Sequence, residues 1–215
     1  MSFAGGLFLT FEGIEGCGKT TQMRLLVERL RGLGYRVTEN QEPGTTAIGK
    51  QIRRVLLDPE NSEMAPVAEL LLMFASRAQA AAEIIRPALA RGEIVVSDRF
   101  TDSTLAYQGY ARGLGFDLVR TAHRLALDEL QPQRTIAIDL DLETALRRAH
   151  RRNAATSDEE SRIDRQSFDF HARVLEGYRR VAELEPERFR FVDGSGSEQE
   201  IAGRVWAEIE PLLRK

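Results

Sequence analysis

Several features of secreted or membrane-bound proteins are missing from this chain of 215 residues. Its single cysteine, Cys17, cannot form an intramolecular disulfide. No apolar stretch approaches the ~20 residues needed to cross a bilayer, and the first residues lack the basic and apolar regions of a secretory signal. We therefore expect a cytoplasmic protein with no membrane partner.

Net positive charge is also missing. The formal net charge of -3 and the pI of about 5.8 give the chain no general attraction to nucleic acid, so we expect no nucleic-acid partner. Any phosphate site must therefore be local. Only three of the 30 basic residues are lysines, so a lysine inside a motif stands out against the arginine-rich background.

Alternating short and long segments indicate the fold class. Short apolar runs are separated by longer segments with helical periodicity, which is typical of a parallel α/β sheet. The predicted strands are residues 7–11, 35–38, 94–97, 135–140 and 189–192, and the clearest helices are residues 19–31, 66–91 and 168–184. Because 42% of the residues are hydrophobic, we predict one three-layer α/β domain with a five-stranded parallel sheet, spanning residues 1–215.

Residues 151–162 interrupt this regular pattern. Their sequence, RRNAATSDEESR, is polar and charged and lies between two helical patterns, so we predict an irregular, mobile surface segment. A linker between two domains is one interpretation, but the chain after it is too short for a convincing second core. We prefer a lid inserted in the single domain, at about residues 147–165.

A complete phosphate-binding loop follows the first predicted strand. The spacing G-x-x-x-x-G-K-[ST] is met between a strand and a helix, where backbone N–H groups surround phosphate oxygens. Lys19 adds a positive charge for the outer phosphates of ATP, and Thr20 offers a hydroxyl ligand for Mg²⁺. The predicted nucleotide-binding residues are Gly13, Ile14, Glu15, Gly16, Cys17, Gly18, Lys19, Thr20 and Thr21.

A phosphate-binding loop is shared by kinases, GTPases and ATP-driven motors. The chain lacks the Asn-Lys-x-Asp motif that reads guanine, and its Asp-x-x-Gly at residues 193–196 lies too near the C-terminus for a GTPase switch. A regulatory GTPase is therefore disfavoured. Cys17 is a candidate nucleophile by position, but no histidine is close in sequence, and the three histidines lack metal-ligand spacing.

An acidic and a basic residue stand together at the end of the third predicted strand. Open α/β sheets bind ligands at the carboxyl ends of their strands. Asp98 could hold Mg²⁺ through water or orient the acceptor, and Arg99 could bind an acceptor phosphate with two hydrogen bonds. A structural ion pair between the two side chains is the alternative.

An ordered set of motifs runs from about residue 7 to residue 193. They are FEGIEGCGKTTQ at residues 11–22, EPG at 42–44, LMFASR at 72–77, DR at 98–99, YQG at 107–109, RID at 162–164 and SFD at 167–169. With this set the chain resembles the bacterial thymidylate kinases, which transfer the γ-phosphoryl group of ATP to dTMP in dTTP biosynthesis. The resemblance implies a P-loop kinase fold with a helical lid, ATP and Mg²⁺ as cofactors, and a homodimer.

The resemblance also implies a binding site for dTMP. Phe74 would stack on thymine, and Arg77, on the same helical face, would hydrogen-bond to it. Arg99 would bind the acceptor phosphate, Tyr107 would disfavour a ribose 2′-hydroxyl, and Glu15 would recognise the 3′-hydroxyl. Core packing stays an alternative for Phe74, and a structural role for Tyr107. The implied substrate-binding set is Glu15, Glu42, Pro43, Phe74, Arg77, Arg99, Ser103, Tyr107 and Gln108.

Positive charge at the transition state needs a further source. Some family members carry an arginine within the phosphate loop, where this chain has Gly16. Arginines that flank the lid could close over the transferring phosphoryl group instead, and a solvated basic helix face is the alternative. The predicted catalytic set is Lys19, Asp98, Arg99, Arg148, Arg152 and Arg162, with Thr20 and Asp98 as metal ligands.

Two other functions stay open at this point. A kinase for another acceptor, such as dUMP or a deoxynucleoside, would differ only in details of the pocket. A regulatory or scaffold protein could bind nucleotide with an inactive loop. The presence of Lys19 with Thr20, and of Asp98 with Arg99, argues against such an inactive protein.

Overall fold

Five parallel strands form the centre of the molecule. The computed structural model describes residues 6–156 and 161–214, and the side chains of all of these except residues 152–156. The strands of the described part are β1 Leu7–Glu12, β2 Val37–Gln41, β3 Ile94–Asp98, β4 Arg134–Asp139 and β5 Phe189–Asp193. Every residue of β1 and β3 is buried, as expected for strands that are covered on both faces.

The strand order places three loops at one edge of the sheet. The order is β2-β3-β1-β4-β5, with all neighbours parallel, so β1 is central. Phe11 of β1 and Gln41 of β2 are both paired with Asp98 of β3. Because the carboxyl ends of parallel strands meet at one edge, the chain segments that follow these three strands emerge side by side.

Helices surround this sheet. In the described part they are α1 Lys19–Gly32, α2 Ala47–Leu57, α3 Pro66–Ala80, α4 Arg86–Ala90, α5 Thr101–Thr104, α6 Phe116–Leu127, α7 Leu142–Thr156, α8 Phe168–Leu184 and α9 Glu198–Leu213. A π-helical turn joins α3 to α4, and a second one, Leu105–Ala111, continues α5. No helix in the described residues is long and apolar enough to cross a membrane.

The predicted parallel α/β architecture is confirmed, and two predictions of element bounds are wrong: the strand expected at residues 35–38 is Val37–Gln41, and the segment after residue 150 is helical. The helix expected at residues 168–184 has those bounds in the structure. The segment expected to be irregular from residue 151 instead continues α7 to Thr156. Arginine and alanine in RRNAAT are strong helix formers, so local propensity extends the helix. Residues 157–160, the middle of the predicted lid, lie outside the described residues.

Candidate active site

The phosphate-binding loop connects the central strand to α1. Gly16 and Gly18 have φ angles of 73° and 93°, in the left-handed region that glycine adopts without steric cost. Within the described residues no side chain caps the N-terminus of α1. The first N–H groups of the helix are therefore free of side-chain acceptors at the end where its dipole favours an anion.

Lys19, Thr20 and Asp98 come together beside this loop. The Lys19 ammonium pairs with one carboxylate oxygen of Asp98, and the Thr20 hydroxyl lies 3.5 Å from the other. Burial raises the pKa of Asp98, but the positive charges of Lys19 and Arg99 outweigh burial and hold that pKa below its ordinary value. Asp98 is therefore ionised at neutral pH, next to the loop.

Oxygen atoms that suit Mg²⁺ are present here. The Thr20 hydroxyl and the Asp98 carboxylate are hard oxygen donors, which is the type of ligand that Mg²⁺ prefers. The described residues contain no cluster of three or more His, Cys, Asp or Glu side chains that could hold a metal by themselves. The donor set fits an ion that is also bound by substrate phosphates and water, as Mg²⁺ commonly is in kinases.

Arg99 follows β3 directly and is held in an unusual conformation. Its φ of 70° is left-handed, which is uncommon for a residue with a side chain. Its guanidinium donates to the Tyr178 hydroxyl at 3.1 Å and lies 5.2 Å from the centre of the Tyr107 ring. Burial lowers the pKa of Arg99, but Tyr107, Tyr178 and the carboxylate of Glu12 raise it well above its ordinary value.

Glu12, the last residue of β1, lies beneath Arg99. One carboxylate oxygen accepts from the backbone N–H groups of Phe100 and Ser103, at 2.8 and 3.2 Å. The other accepts from the Tyr178 hydroxyl at 2.8 Å and lies 3.8 Å from the Arg99 guanidinium. Burial raises the pKa of Glu12 to about 7, against the opposing charge of Arg99. One carboxylate thus organises the whole segment after β3.

This raised pKa predicts a pH-dependent stability. Because the pKa of Glu12 is about 7 in the folded chain and 4.5 in the unfolded chain, the folded state binds more protons between these values. The contribution of Glu12 to the free energy of unfolding should fall as pH rises through this window, by roughly 3 kcal/mol. Urea unfolding measures this at pH 5 and pH 8. Between these pH values, the free energy of unfolding of Glu12→Gln should rise by about this much relative to that of the parent chain. Parallel pH profiles for the two proteins would contradict the assignment.

Arg77 forms a buried ion pair on the opposite wall. It lies on α3 with only 2% of its side chain exposed, and its Nε donates to Glu42, which follows β2. Its Nη1 donates to the Thr104 hydroxyl at 3.0 Å. Burial raises the pKa of Glu42, with Arg77 opposing the rise. The contacts orient the guanidinium between α3, β2 and α5.

The phosphate-binding loop and the charged residues around it line one cavity of about 900 Å³. It extends from the phosphate-binding loop, past Asp98 and Arg99, to Arg77. The predicted residues on its wall are Ile14, Glu15, Gly16, Cys17, Gly18, Lys19, Thr20, Thr21, Glu42, Pro43, Arg77, Asp98, Arg99, Ser103, Tyr107, Gln108 and Arg148. A volume of this size is at the upper end of what small-molecule sites occupy.

Comparison with known proteins assigns the family. The family described as Thymidylate kinase matches residues 11–205, which is most of the chain. The chain belongs to the thymidylate kinase family. The thymidylate kinase of Geobacter sp. (strain M21) is 52% identical over 196 residues, covering 91% of this chain and 87% of the relative. That of Pelobacter propionicus is 48% identical over 205 residues, covering 95% and 94%.

A solved structure agrees with the sequence relatives. The crystal structure of thymidylate kinase from Ehrlichia chaffeensis superposes with a TM-score of 0.77 at 30% identity. The match covers 96% of this chain and 99% of that chain. The thymidylate kinase fold, with its five-stranded parallel sheet, is therefore shared over 96% of this chain.

Phe74 lies on α3, one turn before Arg77. It is 4% exposed, is absent from the wall of the cavity, and packs edge-on to His123 in the core. The guanidinium of Arg77 lies 5.0 Å from the centre of its ring. Phe74 thus supports Arg77 through a cation–π contact, and its stacking on thymine stays a prediction.

Arg162 is held in the interior by a carboxylate and a carbonyl oxygen. Its side chain is 4% exposed, and its guanidinium pairs with Glu69 and donates to the Leu56 carbonyl oxygen at 3.1 Å. It is absent from the cavity wall in this structure, and its contact with the transferring phosphoryl group stays a prediction. Arg148, in contrast, lies on the cavity wall. The side chain of Arg152 lies outside the described residues.

Gly16 allows α7 to pack closely on the phosphate-binding loop. A Cβ atom at this position would overlap the Ala145 carbonyl oxygen and lie 2.9 Å from the Ala149 nitrogen. Any side chain at position 16 would therefore push α7 away. This close approach brings the helix that carries Arg148 to the phosphate end of the cavity. Gly13, which follows β1, does not line the cavity.

Sequence reasoning missed several residues of the site. Arg53, on α2, lines the cavity and donates to the Pro43 carbonyl oxygen at 2.8 Å. Burial lowers the pKa of Arg53, and the charges of Asp98 and Arg99 also affect it, so Arg53 lies near the end of β3. Its only signal in the sequence was a basic residue soon after Glu-Pro-Gly. The role of Glu12 was not predicted, because in the sequence this residue is only the last position of a buried strand.

Proposed function

We propose that the cavity binds ATP and dTMP together and transfers a phosphoryl group directly between them. As a member of its family the chain is an ATP-dependent nucleoside monophosphate kinase that converts dTMP to dTDP. The observation that carries the proposed site is that the phosphate-binding loop with Lys19 and the buried cation Arg99 face one continuous cavity. A donor and an acceptor phosphate can therefore meet within it.

The donor end is assigned to residues 13–20. The loop N–H groups would hold the phosphates of ATP, and Lys19 would leave Asp98 to contact the outer phosphates. Thr20 and Asp98 would hold Mg²⁺, directly or through water, and the ion neutralises phosphate charge when bound. Omission of Mg²⁺ should abolish turnover; metal-independent turnover would remove this assignment.

The acceptor end is assigned to the opposite wall. Arg99, with Arg53 beside it, would bind the phosphate of dTMP, because both guanidinium groups border this part of the cavity. Arg77 and Gln108 would contact the base, and Tyr107 would pack against the sugar carbon that carries no hydroxyl. The remaining proposed contacts are Glu15, Glu42, Pro43 and Ser103, all on the cavity wall.

A lid is proposed at about residues 147–165. Arg148 on α7 supports it, since this side chain lines the cavity close to where Gly16 meets α7. Closure would bring positive charge to the transferring phosphoryl group and exclude water, which limits ATP hydrolysis. We retain the proposal of one domain over residues 1–215, since a lid needs no second core.

No covalent intermediate is proposed. The acceptor phosphate carries a nucleophilic oxygen at neutral pH, and in-line attack on the γ-phosphorus needs only positioning and charge stabilisation. Cys17 lines the cavity but is 1% exposed, and burial raises its pKa, so it stays a thiol. A free thiol agrees with the cytoplasmic location that we propose, which cell fractionation can test.

A panel of acceptors tests the proposed substrate. Steady-state phosphorylation of dTMP, dUMP, dCMP, AMP and thymidine should show the highest kcat/KM for dTMP. The preference over dUMP rests on one methyl group and should be about 10- to 200-fold. A higher kcat/KM for thymidine would support the alternative of a nucleoside kinase, and no turnover of any acceptor would support the regulatory alternative.

We also propose a homodimer, formed through α3 and α6. These helices pack side by side, and each exposes two apolar side chains at helical spacing: Val67 with Leu71, and Leu118 with Leu125. Leu71 is 58% exposed and Leu125 is 86% exposed, so together they form an apolar surface that a second copy could cover. Sedimentation should give a dimer for the parent chain and a monomer for Leu71→Asp; a monomeric parent would overturn the proposal.

A further inference from the structure

A buried carboxylate stands behind the proposed base pocket. Glu69 on α3 is 1% exposed, and Gln108 donates to its Oε1 at 2.7 Å. Arg162 donates to its Oε2 at 2.5 Å, and Arg112 lies 3.3 Å from both oxygens. Burial raises the pKa of Glu69, but hydrogen bonds from Gln108 and the two arginines hold it below its ordinary value. Glu69 is therefore an ionised acceptor.

This carboxylate determines how Gln108 is oriented. A glutamine amide has a donor NH₂ end and an acceptor carbonyl end, and either can occupy the same volume. Because ionised Glu69 only accepts hydrogen bonds, the NH₂ end must face it. Gln108 is 1% exposed and lines the cavity, so the orientation of its amide is set by its buried partner.

The hydrogen-bonding edge of a pyrimidine differs at N3. Thymine and uracil carry an N3–H donor, whereas cytosine presents an unprotonated N3 that only accepts. A Gln108 whose NH₂ end is held by Glu69 has its carbonyl oxygen left to accept from a base. This arrangement matches thymine or uracil. It opposes cytosine, because the Gln108 carbonyl oxygen and cytosine N3 are both acceptors, and neither would receive a hydrogen bond when buried together.

We propose that Glu69 is a positioning residue that selects pyrimidines with an N3–H donor by fixing the amide of Gln108. The proposal rests on the function proposed above, since it needs the base to lie against Gln108. The proposal also accounts for the position of Arg162. This arginine does not line the cavity but pairs with Glu69, and its charge keeps Glu69 ionised. The same carboxylate therefore joins the base pocket to residues 161–166, because Arg112 also donates to Gln166 at 2.9 Å.

The test compares dTMP with dCMP in the full-length enzyme. Glu69→Gln replaces the acceptor with an amide that can present either end, so Gln108 is free to turn over. We expect the ratio of kcat/KM for dTMP to kcat/KM for dCMP to fall about tenfold or more, with the KM for ATP within about twofold of its parent value. Circular dichroism and thermal unfolding establish that the variant is folded.

Two further variants separate positioning from general support. Arg112→Gln removes another partner of Glu69 without touching Gln108, so it should lower stability and leave the dTMP to dCMP ratio unchanged. Gln108→Ala should lower the ratio as Glu69→Gln does, and the double variant should lower it no further. If Glu69→Gln does not fold, Glu69→Asp, which retains the charge but withdraws it from Gln108, takes its place with the same expected fall.

The outcomes distinguish this inference from the proposed function. A parent enzyme that does not prefer dTMP over dCMP overturns the function on which the inference rests. A parent enzyme with that preference, and a folded Glu69 variant that retains it in full, overturns the inference alone. An equal fall in the ratio for Arg112→Gln would also overturn it, because the effect would then come from general support of α3.

Discussion

Lys19→Ala should retain its fold and lose turnover by about 10²- to 10³-fold. The Lys19 ammonium is the positive charge at the start of α1, beside the loop that would hold the donor phosphates. Lys19 is buried, so most water is excluded from its surroundings. In such a site, one hydrogen-bond donor to the charge that develops in the transition state contributes about 10²- to 10³-fold to the rate. Its pairing with Asp98 holds it in place before nucleotide binds. The measurement is kcat with saturating ATP and dTMP.

Lys50→Ala provides a matched control for this variant. Lys50 is exposed on α2 and does not line the cavity, so its removal should leave kcat unchanged. Thermal unfolding of both variants separates loss of the charge from loss of structure, because removing Lys19 leaves Asp98 without its ion pair. Full turnover by a folded Lys19→Ala protein would refute the role assigned to this lysine.

Arg99→Ala should lower kcat/KM for dTMP on the order of 10³-fold and change the KM for ATP little. The guanidinium is positioned by Tyr107, Tyr178 and Glu12, so it can bind an acceptor phosphate without reorganisation. Loss of a charge that contacts the phosphate in the transition state produces effects of this size. Arg99→Lys should recover only part of the activity, because lysine cannot make two parallel hydrogen bonds.

Arg124→Ala is the control for the acceptor arginine. This residue is exposed on α6, outside the cavity, and its removal should leave both KM values unchanged. Initial rates over a range of dTMP concentrations at fixed ATP provide the comparison. A KM for ATP that rises as much as the KM for dTMP would place Arg99 at the donor end and contradict the assignment.

Local patterns were sufficient for several parts of the molecule. The phosphate-binding loop was predictable because its residues are contiguous and their spacing is set by the geometry of phosphate itself. The helix Phe168–Leu184 was predictable because Ser167 caps it and its apolar residues recur at helical spacing. Buried strands such as β1 and β3 were predictable because they are short apolar runs between helices, whereas β2, the polar edge strand Val37–Gln41, was predicted two residues too early.

Pairings between distant residues were beyond the reach of such patterns. An arginine can contact a phosphate, a carboxylate or an aromatic ring, and its own sequence neighbourhood does not distinguish these partners. Arg162 therefore seemed equivalent to Arg148, although one binds Glu69 in the interior and the other lines the cavity. The contacts of Phe74 with His123 and Arg77 were likewise not visible in its sequence neighbourhood.

The amino-acid sequence by itself determined the sheet, the phosphate-binding loop and the family, because each depends on periodicity, local spacing or an ordered set of motifs. Only the tertiary structure decided which charges line the cavity and which lie behind its wall. Glu12 and Glu69 acquire their roles from partners that are far away in sequence. Burial and pairing follow from the packing of whole elements, so these roles exist only once the chain has folded.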